Sequence, residues 1–123
     1  MPIHHLGFKV PNFQKTREFY LAALKPLGYK VTMMKEEGKV VGLGAGFYGA
    51  DFWLVDPDVG SKEEKTDDEK ASKYSQPLHI AFSASNRTQV REFYEAAMSV
   101  CLLLLIQIMG LMPYGVKCCR WKM

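Results

Sequence analysis

Two histidines of this 123-residue chain, His5 and His79, lie 74 residues apart in matching surroundings. At the same offset Phe8 falls on Phe82, Asn12 on Asn86, Arg17 on Arg91, Glu18 on Glu92, Phe19 on Phe93 and Tyr20 on Tyr94. Ala22 and Ala23 fall on Ala96 and Ala97, giving nine identities in one gapless register. "HLGFKVPNFQKTREFYLAAL" and "HIAFSASNRTQVREFYEAAM" are therefore two versions of one unit. Two copies at so long a period make a duplicated module rather than a solenoid. Neutral imidazole, with carboxylate help, suits Zn²⁺, Fe²⁺, Mn²⁺, Ni²⁺ or Co²⁺. A cation so held, with open positions, stabilises an oxyanion or enolate on a chelated substrate. A lone strand histidine is more often structural; two at equivalent repeat positions shift the balance towards ligation.

Each copy reads as a strand followed by a helix. "LHIAFSAS" puts Leu78, Ile80, Phe82 and Ala84 on one face at period two, and His79 on the other with Ala81 and Ser83. By the same alternation His4 should point away from His5. Each strand ends at an Asn suited to capping a helix, and Gln89 completes a capping box with Asn86. Pro26 stops the first helix and Gly28 turns the chain. Three strand candidates follow: "GYKVTMM" at 28–34, "KVVGLGAG" at 39–46 and "ADFWLV" at 50–55, the first two joined by the turn-like "KEEGK". The first unit thus reads β-α-β-β-β, with a curved, mostly antiparallel sheet and the helix on its outer face.

A tandem βαβββ pair with a histidine on each first strand resembles the vicinal oxygen chelate superfamily, which includes glyoxalase I, bleomycin-resistance proteins, fosfomycin-resistance enzymes and extradiol dioxygenases. "HHLGFKV…REFYLAALKPLGYKV" looks like that family's opening strand, helix and turn, and "QPLHIAFSASNRTQVREFYEAA" like the start of its second module. The resemblance covers about residues 1–98. It implies an α+β fold with a sheet-lined cavity. It also implies a divalent metal held by one residue from the first and last strand of each module, commonly two His and one or two Glu. His5 and His79 match the first-strand ligands by position.

The sequence departs from that pattern twice. Trp53 stands where the first module's last strand should offer a carboxylate; Asp51, two residues earlier, is the substitute. The second module stops at Met98, and residues 99–123 contain no acidic residue. The chain therefore divides into a first module (1–55), a charged linker (56–76), the strand and helix that begin a second module (77–98), and an apolar, basic tail (99–123). A shortened or mis-spliced product with a non-homologous end is the origin this division suggests.

The net charge of +3, from 16 basic and 13 acidic residues, is too mild for nucleic-acid binding. Residues 56–73 hold seven acids and four lysines, and should form a solvated, mobile linker. Cys101, Cys118 and Cys119 lack C-x-x-C spacing and read as reduced thiols in a cytoplasmic protein. The start lacks the basic and apolar regions of a signal peptide. The apolar run 96–112 is short for a membrane span, and reads better as a buried strand or an extension of the Asn86 helix. A homodimer would cover its apolar surface. "GLGAG" precedes a strand rather than a helix, so it is poor evidence for phosphate binding.

Two activities follow. The first is a metal-dependent lyase or dioxygenase acting on a small oxygenated substrate, with His5, His79 and Asp51 as ligands. Its missing carboxylates weigh against turnover. The second is a metal-free, bleomycin-resistance-like module, in which Trp53, Phe47 and Tyr48, with Phe52, supply the stacking surface. A third reading is a shortened or tail-anchored product without small-molecule activity.

Overall fold

The computed structural model describes residues 3–47, 49–61, 66, 69 and 79–108, the last seven as backbone only. Strands β1 (Leu6–Lys9), β2 (Lys30–Lys35), β3 (Val40–Gly44) and β4 (Phe52–Val55) form one sheet in the order β1-β4-β3-β2. Helix α1 (Phe13–Leu24) connects β1 to β2, so residues 6–55 run β-α-β-β-β. The β2–β3 and β3–β4 ladders are antiparallel, while β1 lies parallel to β4. A parallel neighbour requires a long crossover, and the stretch from α1 through β3 supplies it. The fold is mixed α+β, with a second helix, α2 (Arg87–Ile108), beyond the sheet.

Alternation on β4 determines which side is core. Phe52 and Leu54 are buried; Trp53 and Val55 are half-buried on the opposite face. Leu24 of α1 joins Val41, Leu43, Phe52 and Leu54 in the buried cluster, and Phe93 of α2 packs against it. Each fully buried leucine contributes about 1.5–3 kcal/mol of transfer free energy. Both described helices therefore lie on one side of the sheet.

The repeat converges on this single core. Phe8 and its counterpart Phe82 both reach the Phe52 ring, with centroids at 5.7 and 5.2 Å, and Tyr20 meets it edge-on at 5.0 Å. Ile80 and Phe82 pack inward while His79, Ala81 and Ser83 are exposed, as the alternation predicts, but Ala84, expected on the inner face, is exposed. However, residues 79–85 join no ladder, and the strand expected over 78–85 is not seen in its described part. The apolar pattern specified which side chains turn inward, and their aromatic contacts with Phe52 and Tyr29 meet that need without strand pairing.

The helix starts differ from expectation in one copy. Asn86 accepts the Gln89 backbone N–H at 2.9 Å, and Gln89 accepts from the Ser85 N–H at 2.8 Å. This reciprocal box is shifted one residue outward from the usual form. Asn12 makes no such bond: its backbone is left-handed (φ 48°, ψ 61°), not the extended conformation of a capping residue. The Thr16 hydroxyl instead donates back to the Pro11 carbonyl at 3.0 Å, which ties the entering chain to the first turn without satisfying a helix N–H. At the other end, α1 tightens into a 3-10 turn over Lys25–Leu27, and Gly28 takes φ 83°. There the Tyr29 N–H reaches back to the Leu24 carbonyl, the left-handed stop that glycine favours.

Helix α2 continues past Met98 to Ile108, so the start of the apolar run extends the Asn86 helix rather than forming a strand. No helix of the described residues is long and apolar enough to cross a membrane. Most of the charged linker, together with Cys118 and Cys119, lies outside the described residues.

Candidate functional site: the helix-free face around Trp53

Trp53 occupies the sheet face that neither described helix covers. Its register partners are Gly7 on β1 and Gly42 on β3. A methyl group at Gly7 would come within 3.3 Å of the Trp53 Cβ. One at Gly42 would sit 2.5 Å from the Ala50 Cβ and 3.0 Å from the indole ring. The indole thus lies flat across β3 because Gly42 leaves it room. Isolated glycines inside strands mark such close approaches.

The indole is fixed by polar contacts. Its Nε1–H donates to the Ala50 carbonyl at 3.3 Å. The Lys35 ammonium stands over the ring, 5.6 Å from its centroid. An exposed cation–π contact of this kind contributes about 0.5–1 kcal/mol. Met33, the partner of Gly42 on β2, is 45% exposed beside it. A register shift between Val31 and Met33 bends this edge strand and discourages pairing with another chain. A half-exposed aromatic plane with an exposed primary ammonium over it can stack a planar molecule when that ammonium swings aside to pair with an acidic group on the ligand.

The other expected stacking residues lie elsewhere. Phe47 is at the tip of the β3–β4 hairpin, closed by the Gly46–Gly49 bridge, and is fully in solvent at 106% exposure. Tyr48 lies outside the described residues.

The expected ligands divide among different surroundings. His5 immediately precedes β1, where the Leu6 N–H donates to the Asp51 carbonyl at 2.8 Å. His4 does not point away from it: the two Nδ1 atoms are 2.9 Å apart. Strand geometry begins only at Leu6, so the alternation that would separate the two rings does not apply. The Asp51 carboxylate accepts the Tyr29 hydroxyl at 3.1 Å. Burial, then the Asp51 charge and this hydrogen bond, push the Tyr29 phenol from 10.0 up to about 12. His79 is exposed on the segment whose other face packs in the core. Among the described residues, no three or more His, Cys, Asp or Glu side chains gather into a group able to hold a metal ion. The described residues therefore do not fit a complete divalent-metal site.

Sequence reasoning singled out Trp53 and Asp51 but missed what touches them. Gly7 and Gly42 were available signals of close approach. Lys35 and Tyr29 gave none, since each is brought in by sheet register. No family model matches the chain, and no curated protein matches its sequence.

Proposed function

We propose that the chain is a small-molecule-binding module of vicinal oxygen chelate ancestry. In this reading residues 1–55 form one βαβββ module, and 77–98 begin a second that lacks its sheet. Its ligand is a small, planar, oxygenated molecule, stacked on Trp53 with an acidic group towards Lys35. The observation that carries the reading is the indole on the face that neither described helix covers, framed by Gly7 and Gly42 with a cation over it. A second copy of the chain is the proposed cover for this face, and a cytoplasmic setting suits the reduced thiols. Titration calorimetry with a panel of aromatic carboxylates and catechols tests it. Saturable binding that disappears in Trp53→Ala, with the fold retained by circular dichroism, is the expected result. Unchanged binding in that variant rejects the site.

A metal-dependent lyase or dioxygenase is the second proposal. It is favoured by the exposure of both His5 and His79, which leaves their rings accessible to an ion. It requires further ligands from outside the described residues or from another chain, because two histidines fall short of the three or four a zinc-type site uses.

A further inference from the structure

The contact between His4 and His5 is the least expected feature of the fold. Neighbouring residues in a strand diverge, yet these two rings meet edge-to-face with centroids 5.2 Å apart and planes at 88°. Their Nδ1 atoms converge to 2.9 Å, and both side chains are exposed. One hydrogen must lie between the two nitrogens, since two lone pairs so close repel. A cation of low coordination number can take that hydrogen's place. The His5 end of the pair is anchored, because the next peptide is tied to β4 through the Leu6 N–H and the Asp51 carbonyl at 2.8 Å. Metal–imidazole bonds of about 2 Å require the nitrogens to open by about 1 Å for a linear arrangement, a small torsion for exposed rings. Among the described residues no third His, Cys, Asp or Glu joins the pair: the Asp51 carboxylate is engaged by Tyr29, and no group of three gathers. Zinc and the other divalent ions want more than two protein ligands, whereas imidazole also suits copper. Cuprous ion, a closed-shell d¹⁰ cation, is satisfied by two nitrogens in line.

We propose that His4 and His5 form a two-coordinate Cu(I) site through their Nδ1 atoms. The site lies apart from the Trp53 platform. It shares His5 with the metal-dependent reading but does not use His79. The hydrogen displaced from between the rings moves to Nε2 of the ring that carried it, so both imidazoles bind as neutral Nε2–H tautomers and no proton is released; no redox step is involved.

The test is anaerobic competition for Cu(I) against a chromophoric chelator. It uses the full chain carrying Cys118→Ser and Cys119→Ser, so that tail thiols do not compete. The expected result is one Cu(I) per chain, with X-ray absorption reporting two nitrogen neighbours. Either His4→Ala or His5→Ala should weaken binding by at least about 100-fold, the upper end of what losing a merely supporting contact costs. His79→Ala should leave it unchanged. Wild-type affinity in His4→Ala, or no stoichiometric uptake at all, overturns the proposal. An equal loss in His79→Ala would place the ion between His5 and His79, and so reject this pair while favouring the metal-dependent reading.

Discussion

Gly42 is the residue on which the site's geometry turns. It leaves no room for a methyl group between Ala50 and the indole, so Gly42→Ala must displace Trp53 or bend β3. A loss of about 1–3 kcal/mol in urea unfolding is expected, the usual range for an overpacked position. Gly7→Ala should cost less, because its new methyl meets the Trp53 Cβ at 3.3 Å and the Trp53 carbonyl oxygen at an ordinary 3.9 Å. Tyr29 yields a prediction in pH. Its phenol is raised from 10.0 to about 12 in the folded chain, so the neutral form is favoured by folding. The resulting stability is fully present below pH 10 and is lost as pH rises through 12. Tyr20, raised by burial, adds to the same trend. Denaturation midpoints should therefore fall across that window, and fall less steeply in Tyr29→Phe. At this scale Trp53 was legible because a large aromatic replaces an expected carboxylate in a clear strand. The Tyr29–Asp51 bond was not, since it joins residues 22 apart that only the sheet's register brings together.

Elements were more legible than contacts. Period-two runs and the Pro26–Gly28 stop located the four strands and the first helix to within a few residues. Caps were legible only in part. Asn86 and Gln89 form their box, while Asn12 escapes into a left-handed conformation that no local pattern announces. The two asparagines should accordingly respond in opposite ways. Asn86→Ala should cost about 1 kcal/mol through the lost cap. Asn12→Gly should be neutral or slightly stabilising, since glycine takes positive φ without strain. Parallel urea melts check both. The β2–β3 turn makes a similar point: Glu36 and Glu37 sit at φ 50° and 55°, a region costly for most side chains. Glu37→Asn should raise stability by about 0.5–1 kcal/mol in the same assay, because asparagine tolerates this conformation. The strand expected at 78–85 shows the limit of pattern. Alternation named Ile80 and Phe82 as inward residues, but which surface receives them is a tertiary matter, decided by Phe52 and Tyr29.

For the whole molecule, duplication in sequence has not meant duplication of the core. The two repeat helices share one side of one four-stranded sheet, and equivalent phenylalanines meet on a single ring. Neither described helix covers the opposite face, where Trp53, Lys35 and Met33 are grouped. That face is the basis for the binding proposal, and fluorescence of its indole is the most direct probe. In a Trp121→Phe background, Trp53 is the sole remaining tryptophan. Titration with an aromatic carboxylate should quench it saturably. Lys35→Gln should weaken the affinity by about two- to fivefold, as befits a solvent-exposed charge contact. Linear, collisional quenching, no different from that of free tryptophan and indifferent to Lys35, would contradict the account.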